Sequence, residues 1–264
     1  MPNRYLASDL DGTLIPPVID TDRAREISLF GACAAEARLG LAYITGRHAE
    51  LAIAGIEMAG LPFPDRIFCD VGTSLYVRDA QSYVLDEAFR HAMTETLGMA
   101  AMPEIRRLLR GIDGLVEQEA DKQAEFKLSY YVRGAEHGRT QRALARCLEP
   151  LAARVTIITS DDPVTGDGLV DILPKTAGKR RALEWLGNTV GLDRDAILFA
   201  GDSGNDRDAM LSGHPAVLVG NAPDELRADL IEAAERTGLA DRLYCARAHF
   251  AAGVLEGCRH FGFL

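Results

Sequence analysis

Four short stretches place groups capable of chemistry directly beside apolar runs. In Asp9-Leu10-Asp11-Gly12-Thr13 two carboxylates lie two residues apart, and in extended chain such side chains point the same way. Carboxylates that close repel unless a proton or a cation lies between them. A hard divalent cation with oxygen ligands, Mg²⁺ above all, suits the arrangement. One carboxylate, Asp9 or Asp11, can then act as nucleophile and the other as general acid and base. Gly201-Asp202-Ser203-Gly204-Asn205-Asp206 adds two carboxylates, a hydroxyl and an amide; the same residues could simply cap a following helix. Thr45-Gly46-Arg47 offers a hydroxyl and backbone N–H groups that suit a phosphate oxygen, though a plain helix cap by Thr45 explains them as well. Lys179 opens a helix, where the dipole favours anions, and its plain reading is a solvated lysine.

Each stretch needs an element to hold it. Short apolar runs at 5–8, 41–44, 66–70, 196–200 and 216–219 read as strands. Helical patterns cover 22–39, 48–58, 178–190, a stretch from Arg207, 224–237 and 249–261. Strands alternating with helices predict a parallel sheet covered on both faces. The carboxyl ends of such strands are where α/β sheets hold ligands. From about Asp86 the rhythm changes to a helix over 86–109, strands at 115–119 and 126–132, a helix over 136–151, and strands at 155–159 and 169–173. That order, αββαββ, suits an antiparallel sheet with helices on one face. The chain is therefore read as an α/β protein with a domain at 86–174 inserted into a core of 1–85 and 175–264. Alternation along 126–132 sets Lys127, Ser129 and Tyr131 on one face and Phe126, Leu128 and Tyr130 on the other, against the helices. Lys127 and Tyr131 then face the core, unless they belong to a solvated sheet face.

Composition excludes several classes. The chain has 264 residues, a net charge of −10 and 47% apolar residues, an ordinary globular make-up. The acidic balance argues against general binding to nucleic acid or an anionic membrane. The longest stretch without Asp, Glu, Lys or Arg runs from Ala209 to Pro223, short of the ~18–20 apolar residues a membrane span needs. Five scattered cysteines with no CxxC pair indicate neither a disulfide framework nor a structural zinc site. Carboxylates arrive too early for a secretory signal, so a cytoplasmic location is expected.

Taken in order, Asp-Leu-Asp-Gly-Thr, Thr-Gly-Arg, the lysine and Gly-Asp-Ser-Gly-Asn-Asp resemble the four motifs of the haloacid dehalogenase-like (HAD) phosphatases. The insertion resembles the α/β cap of subclass IIB. Residues 126–131, 170–174 and 246–253 are similar to sucrose-6-phosphate phosphatases and their relatives. The resemblance implies a Rossmann-like core with an inserted cap, and a Mg²⁺-dependent phosphatase acting on a disaccharide phosphate, foremost sucrose 6-phosphate. It implies Asp9 as nucleophile and Asp11 as acid and base. It assigns the metal to Asp9, the Asp11 backbone carbonyl, Asp202 and Asp206, and the phosphoryl group to Thr45, Gly46, Lys179 and Asn205. Lys127, Tyr131 and Asp171 are the candidates for sugar contacts, and association with a sugar-phosphate synthase is possible. The chain departs from the sucrose-phosphatase pattern at Gly12-Thr13-Leu14 and in the loop 161–168. The readings left open are another sugar phosphate (mannosylfructose, glucosylglycerate, mannosylglycerate or hexose), a phosphomutase, and a non-catalytic sugar-phosphate binding module.

Overall fold

The computed structural model describes residues 2–97, 101–132, 137–161 and 167–264. The chain divides into two compact units, Met1–Val84 with Lys179–Leu264, and Leu85–Gly178.

The first unit is built on an eight-stranded sheet. In chain order it holds β1 (Tyr5–Ser8), α1 (Thr21–Glu36), β2 (Gly40–Ile44), α2 (Ala49–Ala59), β3 (Arg66–Cys69), β4 (Ser74–Asp79) and β5 (Ser82–Leu85, the last residue falling at the boundary). The second unit carries α3 (Glu87–Leu97), α4 (Ala101–Leu109), β6 (Leu115–Glu117), β7 (Leu128–Val132), α5 (His137–Leu148), β8 (Val155–Asp161) and β9 (Gly168–Pro174). The first unit then resumes with α6 (Lys179–Val190), β10 (Ile197–Gly201), α7 (Arg207–Met210), β11 (Ala216–Leu218), α8 (Asp224–Thr237), β12 (Leu243–Cys245) and α9 (Phe250–His260).

The sheet order is β12-β11-β10-β1-β2-β3-β4-β5. The strands from β12 to β3 run parallel, and β4 pairs antiparallel with β3. The central strands read as near-continuous apolar segments because both faces are covered: β1, β2 and β10 are buried throughout. One face packs on Ile27 and Phe30 of α1, Ala52 and Ile56 of α2, and Val254 and Leu255 of α9. Helices α6 and α7 pack against β10. Asp20 caps α1 by accepting from the N–H groups of Asp22 and Arg23 at 3.0 and 2.9 Å, which satisfies donors a helix start leaves orphaned.

The second unit has an antiparallel sheet in the order β6-β7-β9-β8. In the β7–β9 register Ser129 faces Asp171, Tyr130 faces Val170 and Leu128 faces Ile172. Leu128, Tyr130, Val132, Val170 and Ile172 are all buried, as period-2 alternation requires for a face under helices. The expected single helix over 86–109 is two helices among the described residues. Residues 162–166 of the loop at 161–168 lie outside them. The hairpin β4–β5 and the short β12 were not expected. The hairpin's apolar run is visible, but its Ala80-Gln81 turn lacks the Asn-Gly or Asp-Gly signal, and Ala80 takes the left-handed φ of 53° without it. Among the described residues no helix is long and apolar enough to cross a membrane.

Candidate active site

Topology brings the acidic stretches together. Parallel pairing sets Ser8 beside Ala200 and Ser8 beside Tyr43, so β1, β10 and β2 end side by side, with neighbouring strands about 4.8 Å apart. Here the order turns outward in both directions from β1, the switch point where open α/β sheets hold ligands. The Asp9 N–H donates to Ala200 O at 2.9 Å, fixing the first loop to the strand that leads into the second.

Asp9 is buried, at 5% exposure. Its Oδ1 accepts from the Leu10 N–H at 2.8 Å, and its Oδ2 lies 2.8 Å from Lys179 Nζ. The same ammonium lies 2.7 Å from Asp206 Oδ1. Lys179 is only 2% exposed, so it is not a solvated surface lysine. The two carboxylates offset its unfavourable place at a helix start. Asp206 Oδ2 accepts from the Asp202 and Ser203 N–H groups at 3.1 and 3.0 Å, so one carboxylate both caps the next turn and holds the lysine. Asp202 Oδ1 accepts from Thr13 Oγ1 at 2.6 Å. Asp9, Asp202 and Asp206 each offer a carboxylate oxygen within 4.8 Å of the others. Asp11 is not in that group; its side chain points instead to Arg47.

The charge balance is uneven. Burial pushes the Asp9 carboxyl up to about 7, Lys179 opposes this, and Asp206 and Asp202 reinforce it. Burial and then Asp206 push Asp202 up to about 6, against the Thr13 hydroxyl and Lys179. Burial disfavours the charged Lys179, but Asp206 and Asp9 outweigh it and raise its pKa. Three carboxylates thus share one ammonium, and two of them hold protons more tightly than usual. That deficit of positive charge, faced by hard oxygen donors, is compatible with a hard divalent cation.

The turn geometry serves this packing. Gly12 has φ of +77°, and a Cβ there would stand 2.3 Å from Asp202 Oδ2. Asn221 donates its Nδ2 to Gly12 O at 2.8 Å and accepts the Phe250 N–H on its Oδ1 at 3.0 Å. It thereby ties the first loop to the start of α9, within the stretch 246–253. Thr45 is buried and its Oγ1 accepts the Arg47 N–H at 3.1 Å. Asp70, Val71 and Gly72 follow β3 with φ of 54°, 61° and 79°. Such strain in a β-branched residue costs about 1–3 kcal/mol and is a mark of functional sites. The turn delivers the Asp70 N–H to Arg47 O at 2.9 Å and the Val71 N–H to Thr45 O at 3.0 Å, which ties the Thr45–Arg47 loop to the end of β3. Asn205 Oδ1 accepts from Ser203 Oγ at 3.0 Å. Gly46 lies between Thr45 and Arg47 in that same loop.

Sequence reasoning missed Arg47, Asn221 and the Asp70–Gly72 turn as parts of the site. Only Arg47, inside a motif, carried a signal. The contacts of Asn221 depend on loops 209 and 29 residues away in sequence.

In the second unit Lys127 is buried, at 6% exposure, and so is Ser129. Ser129 Oγ donates to Asp171 Oδ1 at 2.5 Å. Burial raises the Asp171 pKa, against the nearby Lys127 and Ser129. Tyr131 is half-buried and its hydroxyl donates to Glu119 Oε2 at 2.8 Å. For Lys127 and Ser129 the plain alternative of a solvated sheet face does not hold.

The chain is similar to known proteins along nearly its whole length. The sucrose-6F-phosphate phosphohydrolase family matches residues 2–262. A mannosylfructose-phosphate phosphatase of Agrobacterium fabrum is 32% identical, over 99% of this chain and 98% of its own length. A putative HAD-like hydrolase of Nitrosococcus oceani is 33% identical, over 97% of this chain and 71% of its own. The crystal structure of the sucrose-phosphatase from Synechocystis sp., in complex with sucrose and phosphate, superposes with a TM-score of 0.83 at 25% identity, covering all of both chains. With a match along nearly its whole length, the chain belongs to the sucrose-6F-phosphate phosphohydrolase family of HAD phosphatases.

Proposed function

We propose that the chain is a Mg²⁺-dependent phosphatase that hydrolyses a disaccharide phosphate, foremost sucrose 6-phosphate, through an aspartyl-phosphate. The observation that carries this reading is the set of three carboxylates around one buried ammonium at adjacent strand ends. Such a set suits phosphoryl transfer, which needs positioning and charge neutralisation more than covalent chemistry. Asp9, Asp202 and Asp206, with the Asp11 backbone carbonyl, are the groups to hold Mg²⁺, which when bound supplies the neutralisation a phosphate dianion needs near them.

The chain's own groups do the rest. An Asp9 carboxylate oxygen forms the bond to phosphorus while the bond to the sugar oxygen breaks. Asp11 gives its proton to that departing oxygen, then takes one from the water that releases phosphate and restores Asp9. Lys179 spends two N–H groups on Asp9 and Asp206, leaving the third for a phosphoryl oxygen. Thr45 Oγ1, the Gly46 N–H and the Asn205 amide complete the cradle. Lys127, Tyr131 and Asp171 are the groups proposed to read the sugar.

A second reading, a mannosylfructose-phosphate phosphatase, is favoured by the relative that matches over both full lengths. Ranking sucrose 6-phosphate, mannosylfructose phosphate, glucosylglycerate phosphate and hexose phosphates by kcat/KM for phosphate release decides between them. Asp9→Asn should lower turnover at least ~10³-fold with an unchanged circular dichroism spectrum. Retained activity would remove the covalent route.

A further inference from the structure

The Asp11 carboxylate has a fixed partner. Arg47 Nε donates to its Oδ2 at 2.8 Å, and Arg47 Nη2 donates to its Oδ1. This two-pronged contact fixes orientation as well as charge, as a lysine would not. Arg47 is in turn held on α2. Its Nη1 donates to Leu51 O at 3.2 Å, and its backbone is pinned by Thr45 Oγ1 and the strained Asp70 turn. The guanidinium occupies a slot that exists because residue 55 lacks a side chain. A Cβ on Gly55 would stand 2.1 Å from Arg47 Nη1. A glycine inside a helix costs about 1 kcal/mol relative to alanine, so the slot is kept against helix propensity. The Asp11 side chain nevertheless stays 52% exposed, open to a departing group.

We propose that Arg47, seated in the Gly55 slot of α2, is the positioning residue for Asp11, orienting its carboxyl toward the sugar oxygen that leaves phosphorus. The inference rests on the phosphatase reading above. As the bond from phosphorus to the sugar oxygen breaks, its electron pair stays on that oxygen. The oxygen takes the Asp11 proton, and the carboxylate so formed keeps its pairing with Arg47. Arg47 touches neither phosphorus nor the nucleophile in this step.

A leaving-group comparison tests it. The sugar phosphate that ranks first in the kcat/KM comparison above, an alkyl ester, needs the proton, whereas p-nitrophenyl phosphate does not. The second step is common to both esters, so release of the leaving group is read in the first turnover with enzyme in excess. General-acid help is worth about 10²–10⁴-fold, so Arg47→Gln should slow sugar release at least ~30-fold and nitrophenol release no more than ~3-fold. Asp11→Asn should show the same selectivity, and the double variant should be no slower than Asp11→Asn alone, since residues that act as one unit are not additive. Gly55→Ala keeps the arginine but displaces it. It should reproduce the selective loss with an unlowered melting temperature, so a folding defect in the arginine variant cannot hide the result. Equal losses on both esters, or losses that multiply in the double variant, overturn the role of Arg47 while leaving the phosphatase reading intact. A wild-type chain that releases phosphate from none of the sugar phosphates ranked above, with Mg²⁺ present, removes the phosphatase reading, and this inference with it.

Discussion

Asp9 and Asp202 carry the charge imbalance of the site, and it has a measurable consequence. Their carboxyls are pushed up to about 7 and about 6, above the ~3.9 of an unfolded aspartate. The metal-free fold therefore binds these protons more tightly than the unfolded chain does. The stabilisation they give is fully present below about pH 4 and is lost as pH rises through 6 and 7. A cation competes with the same protons, so its effect should grow across that window. At ten times its Kd the linkage gives about 1.4 kcal/mol, roughly 2–4 °C for a chain of this size. The expected outcome is that MgCl₂, against EDTA, raises Tm by that amount at pH 7.5 and by clearly less at pH 5.5. A shift independent of pH, or none at all, would take the ion out of the Asp9–Asp202–Asp206 cluster. These aspartates were legible from type and spacing, because strand alternation and a following turn are local properties. The burial of Lys179 was not, since nothing near it in sequence says that two carboxylates await it.

At the scale of elements, the site depends on which strands are neighbours and on the loops that join them. Asn221 follows β11 and binds both the Gly12 carbonyl after β1 and the Phe250 N–H that opens α9. Removing its side chain strands two backbone groups, each worth about 1–3 kcal/mol when left unsatisfied. It also frees the loop whose glycine packs on Asp202, and small displacements of catalytic groups are costly in rate. Asn221→Ala should therefore lower stability by about 2 kcal/mol and kcat by roughly tenfold, read by urea unfolding and phosphate release. Loss of stability with unchanged kcat would confine Asn221 to a structural role. The β4–β5 hairpin shows where sequence reading failed at this scale. Its strands alternate well enough, but its turn takes a left-handed φ at an alanine, which no local rule favours.

For the whole molecule, the groups proposed to react and those proposed to read the sugar belong to different units. Asp9, Asp11, Thr45, Lys179, Asp202 and Asp206 lie in the first, and Lys127, Tyr131 and Asp171 in the second. Chemistry and selection should then separate on mutation. Replacing Lys127 alone would leave the buried Asp171 without its opposite charge, so the paired variant Lys127→Met with Asp171→Asn is the cleaner probe. It should raise KM for the preferred sugar phosphate about tenfold, the effect of losing one or two hydrogen bonds to sugar hydroxyls. p-Nitrophenyl phosphate kcat/KM should change less than about threefold, since it has no sugar to read. An equal loss on both substrates would move these residues out of sugar recognition.

Motif chemistry, the strand–helix rhythm of the first unit and the αββαββ order of the second were determined by the sequence itself, through short-range periodicity and turn chemistry. Tertiary structure alone decided that β10 lies beside β1, that Lys179 bridges Asp9 and Asp206, that Arg47 grips Asp11 across a slot left by Gly55, and that Asn221 joins three loops. Their hydrogen bonds join residues from 27 to 209 positions apart. They follow from sheet order and close packing, which no local pattern encodes.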